Sequence, residues 1–475
     1  MLGLFLLTLP LVNPWVRGDG VGYYAYARAL LIQHNLRFEN DWLAGNTTFR
    51  MGRGDEQGRI QPVEYTPTGY LDNHFTIGPA ILWAPFLIAA HLAVLGSHEL
   101  GGHIAADGFS WPYTVAMAIA TAFYGFLGLW LSFRLAREYY DERWAFLATL
   151  GIWFGSSLPV YMYFNPSWSH AHSLFVVALF LWYWQRTLNR RNIGQWILLG
   201  LISGIMLDVY FPNFALLSLP VAESVVVYWR ASHGADRGSS PIRQLLTANL
   251  VYALVVLFAF SPTLITRKII YGSVLNFGAY SRVEWKWTSP DLLAVLFSSD
   301  HGLLSWTPIL IVAVLGLFLL YRRERAMASY LLLGCLGFYY LIASYPFWDG
   351  LSSYGNRFFI SLLPIFIVGL TASVDAFARM WMRTRIAFTA ASGVIALFIV
   401  WNLAFIFQWG THMIPVRGPI SWRDMTYNQV VVVPTKLTND LRAYLVKRHE
   451  MMKHIEQEDV KQLEEQKAKG NQRKP

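Results

Sequence analysis

The sequence predicts an all-α polytopic membrane protein of about eleven transmembrane helices, with a large first outer loop that carries interfacial helices. Three observations lead there. Of 475 residues, 55% are hydrophobic and 14% charged, with mean hydropathy +0.36, too few charges to clothe a water-soluble chain of this length. Apolar runs of about twenty residues, enough to span a ~30 Å hydrocarbon layer, recur from end to end. Short arginine-bearing connections separate alternate runs, as the positive-inside rule requires of cytoplasmic loops.

Taken in order, the N-terminal MLGLFLLTLPLVNPW lacks a basic n-region and an A-x-A-like cleavage site, so it reads as a retained first helix. Further runs cover 112–133, 144–163, 170–185, 195–209, 211–229, 246–266, 303–321, 327–345, 358–378 and 386–408. Five connections carry three arginines each: Arg134, Arg137 and Arg143; Arg186, Arg190 and Arg191; Arg230, Arg237 and Arg243; Arg322, Arg323 and Arg325; Arg379, Arg383 and Arg385. These belong inside, which puts the connections rich in Trp, Tyr, His, Asn, Pro and Gly outside. Residues 75–96 are apolar too, but neither flank carries the basic charge of an inner loop. With two prolines and two glycines they suit an interfacial or re-entrant helix within an outer loop spanning 17–111. Residues 1–409 thus form one transmembrane domain without internal repeats. Residues 410–475 form an outer C-terminal segment whose Lys/Glu-rich tail, from about Asn439, lacks a clean apolar stripe and is expected to be a solvated helix or disordered.

Composition excludes other classes. The lone Cys335 lies in an apolar run, which rules out an intramolecular disulfide framework and a cysteine-rich metal site. Net charge is +9, but the basic residues sit in short groups between apolar runs, matching anionic lipid headgroups and not nucleic acid.

Candidate chemistry gathers at the outer rim. Asp19, between Gly18 and Gly20 in RGDGVGYYAYARALL, sits at the membrane boundary before an aromatic helix, where it serves equally as a helix N-cap or as a carboxylate reaching a lipid headgroup. Asp72, Asn73 and His74 precede the FTIGP run and suit a sugar hydroxyl, a cation or a plain loop cap. Asn165, His170 and His172 in NPSWSHAHS suit sugar or headgroup contacts better than a metal, because histidines two apart diverge on a helix. In WDGLSSYGNRFF, Tyr354 and Asn356 neighbour Arg357, whose planar fork beside Gly355 matches a phosphate. Arg267 and Lys268 form a second cationic candidate, and Asp300 with His301 a further rim pair. Glu223 inside a span demands a partner, and Asp208 near an outer end is expected to face the same cavity.

The order of RGDGVGYYAYARAL, HFTIGPAILWAPF, GLLSWTP and SYPFWDGLSSYGNRFFISLLP resembles the GT-C superfamily of polyprenyl-phosphate-sugar-dependent membrane glycosyltransferases. The resemblance covers most of residues 1–410 and is nearest to bacterial relatives of the protein O-mannosyltransferases and lipid A aminoarabinose transferases. It implies a catalytic Asp19, a cavity open to the outer leaflet, and inverting transfer of a sugar from a polyprenyl-phosphate donor to a lipid, glycan or protein hydroxyl. By the same resemblance the protein sits in a bacterial inner (plasma) membrane, with its site facing the periplasm or exterior. Where many relatives carry an acidic pair, Asp19 has glycine on both sides. No cofactor is specified; a divalent cation is compatible, with Asp19, Asp72 and His74 as its ligands. The competing class is a transporter or flippase for a lipid-linked saccharide, which calls for polar residues at mid-membrane depth and repeated halves.

Overall fold

The computed structural model describes residues 1–55, 57–189, 191–233, 239–380 and 384–471; Arg190, Arg237 and Arg383 lie outside them. The described chain is helical, with two isolated bridges and no strand. Its main helices are α1 (Leu2–Thr8), α2 (Asp19–Arg28), α3 (Gly78–Glu99), α4 (Trp111–Arg137), α5 (Glu142–Gly155), α6 (His170–Thr187), α7 (Ile193–Val209) and α8 (Ser218–Ser232). There follow α9 (Ser239–Ala259), α10 (Ser261–Tyr271), α11 (Ile309–Arg323), α12 (Arg325–Ser344), α13 (Leu363–Arg379), α14 (Thr384–Gly410), α15 (Val433–Val446) and α16 (Arg448–Asn471). The protein is an integral membrane protein with an all-α polytopic fold.

Among the described residues, seven helices are long and apolar enough to cross a membrane by length and composition. That is fewer than the runs counted from sequence, because several runs break near the ends opposite the arginine-bearing connections. The run 144–163 stops at Gly155, where Asn402 Nδ2 donates to the carbonyls of Phe154 and Ser156 at 2.8 and 2.7 Å. Those bonds take over backbone acceptors that the helix leaves open. The run 246–266 divides at Phe260, just before Pro262, whose ring and missing N–H start a new helix. Residues 75–96 form the continuous α3, which is itself one of the seven. It runs antiparallel to the N-terminal half of α4, with Trp83 Nε1 donating to Thr121 Oγ1 at 2.9 Å and His91 Nδ1 2.7 Å from the Tyr113 hydroxyl.

The arginine-bearing connections collect at one end. Arg186 pairs with Glu138 at 3.6 Å, and Asp375 pairs with both Arg323 and Arg379. Glu223, the acid inside a span, is held there by Arg191 Nη1 and Trp184 Nε1, both at 2.9 Å. The bundle closes by backbone contact between α11 and α13: a Cβ on Gly316 would lie 1.7 Å from the Gly369 carbonyl, so only glycine allows this approach. At the opposite end, Arg28 grips Asp41 bidentately at 2.6 and 2.7 Å beneath Phe109, knitting the outer loop together.

The C-terminal tail corrects its expectation. Among the described residues, which end at Asn471, it is helical and more than merely solvated. α16 is a docked helix whose Met451, Met452 and Ile455 face a cavity, while Glu456 and Asp459 bond the first outer loop. Its apolar residues are too few to form a stripe in sequence, and its polar partners in the first loop lie more than 400 residues away.

Candidate active site

Asp19 opens α2, and the glycines around it set its position. Gly18 has φ +53°, in the left-handed region that side chains disfavour, and its N–H donates to Asn46 Oδ1 at 3.0 Å. A Cβ on Gly20 would lie 1.9 Å from Ser167 Oγ, and one on Gly22 2.1 Å from the Phe75 ring. Close approach, more than freedom to bend, accounts for these two glycines: they let the first turn of α2 press against residues 165–169 and 73–75.

That seat brings Asp19 to Arg357, Oδ2 to Nη2 2.8 Å. Arg357 starts the 3₁₀ turn ahead of α13, and its guanidinium lies 4.2 Å over the Trp168 ring. Its side chain is only 10% exposed, against 36% for Asp19. Nε and Nη1 of Arg357 are buried and unpartnered among the described residues. Leaving a desolvated donor unfilled costs about 1–3 kcal/mol, more for a charged group, so the site is short of an acceptor. Arg357 and Asp19 line a cavity of about 490 Å³. Its lining also includes the polar Asn13, Arg17, Arg53, Asn165 and Arg417 and the apolar Leu403, Ile406, Phe407, Leu437 and Leu441.

The other residues singled out by sequence are placed unevenly. Asn165 lines the cavity. Asn356 turns its Nδ2 to the Trp348 carbonyl at 3.1 Å and leaves its Oδ1 buried and unpartnered. His170 is buried edge-on against Tyr161 and Tyr210, with Nδ1 unpartnered, and His172 lies against Trp83 and Tyr124. His74 stacks on Phe75, and burial lowers its imidazole to about 4 against the pull of Asp19 and Asp72, which leaves it neutral at pH 7.

Several expectations change. Arg267 is not open to an anion: Nη1 donates to the Asn73 carbonyl and Nη2 to those of His74 and Phe75, at 2.6 to 2.9 Å. It holds the chain segment behind the site. Lys268 is exposed and donates to the Gly272 carbonyl at the end of α10. Tyr354 is fully buried, its hydroxyl on Asn402 Oδ1 at 2.8 Å, and it does not line the cavity. Asp72 is taken by Tyr271 and Arg282. Asp208 accepts from the Thr263 N–H at 3.2 Å and does not line the cavity.

Asp19, Asp72 and His74 do not converge as cation ligands. Among the described residues, the only group with ligand atoms all within 4.8 Å is Asp300, His301 and Asp349. His301 Nδ1 lies 2.8 Å from the Asp349 carbonyl, its Nε2 is unpartnered, and burial lowers the ring to about 4. Burial and the neighbouring Asp349 raise the Asp300 carboxyl to about 6, and burial raises Asp349 as well. These are the described side chains whose donor set fits a cation.

Sequence reasoning missed Trp168, the platform for Arg357, and Asn46, Glu456 and Asp459, which surround the residues before Asp19. The clustering of Trp with His and Asn in NPSWSHAHS was a usable signal for Trp168. Nothing local marks the other three.

No protein-family model matches the sequence, and no curated protein matches it. Among solved structures the fold is similar to the crystal structure of ArnT from Cupriavidus metallidurans bound to undecaprenyl phosphate, with TM-score 0.47 and 12% identity over 86% of this chain and 70% of that one.

Proposed function

We propose that the protein is a membrane glycosyltransferase that moves a sugar, with inversion, from a polyprenyl-phosphate donor to an acceptor hydroxyl at the outer face of the membrane. The observation that carries this reading is the pairing of Asp19 with a buried Arg357 that keeps two donors unfilled, in the wall of a cavity whose other lining is largely apolar. The unfilled donors suit a phosphate, and the apolar lining suits an isoprenoid chain. The motifs shared with the GT-C enzymes point the same way.

In the reaction, phosphate oxygens of the donor occupy Arg357 Nε and Nη1. The acceptor O–H gives its proton to the Asp19 carboxylate as its oxygen bonds the anomeric carbon. The bond from that carbon to the phosphate oxygen breaks, and polyprenyl phosphate leaves with the electron pair. Arg357 neutralises the charge that grows on the leaving phosphate, an effect that low-dielectric surroundings strengthen. Holding Asp19 beside Arg357 keeps the base within reach of the same reacting centre.

The test begins with mass spectrometry of lipid-linked sugars and glycoconjugates from a deletion strain, which names the donor and acceptor. Transfer by purified Asp19→Asn should then fall by about 10²-fold or more, while binding of undecaprenyl phosphate persists. Full turnover by Asp19→Asn would refute the assignment of the base, and saccharide movement across vesicles without transfer would favour a flippase.

A further inference from the structure

Beyond the cavity, one arrangement joins the end of the chain to its beginning. Glu456 on α16 accepts from Asn46 Nδ2 at 2.9 and 3.1 Å and from the Thr48 N–H at 2.8 Å. The other end of the Asn46 amide accepts from the Gly18 N–H. One turn further along α16, Asp459 takes Arg17 on one oxygen and His412 Nε2, at 2.8 Å, on the other. The two residues directly before Asp19 are therefore each held by α16, Arg17 directly and Gly18 through Asn46. Gly18 is also the residue with φ +53°, a conformation that glycine samples freely and does not keep unaided.

The character of α16 sets it apart from the bundle. It is joined to the first outer loop mainly through charged and amide groups, and hydrogen bonds to charged groups contribute about 1.5–3 kcal/mol each. Such an element can leave its seat without unfolding the helices beneath it.

We propose that α16 is a clamp on the catalytic loop, with Glu456 and Asp459 as positioning residues that hold Arg17 and Gly18 so that Asp19 meets Arg357. The inference rests on the transfer reaction proposed above. Neither acid bonds Asp19 or Arg357; both act through the backbone that carries Asp19.

The Asn46–Glu456 contact offers a polarity swap. Asn46→Asp faces Glu456 with a second carboxylate, so the clamp opens, while an oxygen remains for the Gly18 N–H. Adding Glu456→Gln restores a donor opposite the new carboxylate and keeps an acceptor for the Thr48 N–H. We expect Asn46→Asp to lose about tenfold or more in kcat at nearly unchanged donor KM, because a carboxylate displaced by about 1 Å costs on the order of 10²-fold. Hydrogen exchange at the peptide containing Gly18 should quicken in the same variant. The double variant Asn46→Asp/Glu456→Gln should recover both. Wild-type kcat in Asn46→Asp, or failure of the double variant to recover, overturns the proposal. The exchange readout needs no activity, so a wild-type protein that transfers no sugar would defeat the transfer reading alone. The clamp would then stand if exchange at Gly18 quickened and recovered, and fall if it did not.

Discussion

Two buried arginines at the outer end show how one residue type serves opposite purposes. Arg267 spends both terminal nitrogens on three carbonyls of residues 73–75 and leaves only Nε unpartnered, whereas Arg357 spends one terminal nitrogen on Asp19 and leaves both Nε and Nη1 open. In sequence the two look alike, each a cation where an outer boundary disfavours one, because carbonyl partners 190 residues away leave no local trace. Arg357→Lys retains the charge but not the fork, so donor use should fall about tenfold, and Arg357→Ala should fall further in both kcat and KM. Transfer kinetics across donor concentration check this, and free substitution by Lys would count against phosphate recognition. The Arg28–Asp41 pair tests architecture apart from chemistry. Asp41→Ala strands a buried guanidinium and should cost about 3–5 kcal/mol, seen as a lowered Tm in detergent.

Among elements, α2 carries Asp19 and α16 bonds the residues just before it, Arg17 directly and Gly18 through Asn46. Gly20→Ala would drive a methyl into Ser167, so the start of α2 must shift at a cost of about 1–3 kcal/mol, and Ser167→Gly in the same chain should recover much of that loss. Tm and turnover of the single and double variants read it directly. α16 responds to pH. Burial alone would raise Asp459, but the Arg17 guanidinium and His412 override it and hold the carboxyl below its ordinary 3.8. A lowered carboxyl contributes stability that is complete above the unfolded value and lost as pH falls through the folded one. Protection of the Gly18 amide, taken relative to its intrinsic exchange rate at each pH, should therefore hold from neutral pH down to about 4 and weaken below it. The asparagine, glutamate and aspartate of this contact were illegible in sequence because each is an ordinary surface residue until its distant partner is known.

For the molecule as a whole, Arg186, Arg323 and Arg379 gather at one end and Asp19, Arg357 and α16 at the other, so labelling from one side tests the orientation read from the arginine connections. In a Cys335→Ser background, cysteines at the exposed Gln57 and Glu450 should react with an impermeant thiol reagent added outside, and one at Arg143 should not. A cysteine at Leu100, 91% exposed just beyond α3, should react with the first two, because α3 lies beside only the N-terminal half of α4. Protection there would make α3 a full crossing and reverse every later span.

By itself the sequence determined the membrane class and the helical fold, and it offered a sidedness for the connections and Asp19 and Arg357 as candidates for the site. Hydropathy and arginine placement are local and additive along the chain, and an acid or arginine at a membrane boundary is conspicuous where it stands. Only the tertiary structure decided that Asp19 and Arg357 touch across 338 residues of chain, that Arg267 binds the carbonyls of residues 73–75, and that the polar tail bonds the first loop. Those outcomes depend on which polar groups find partners once water is excluded, and the cost of leaving one unpaired is settled by residues far away in the sequence.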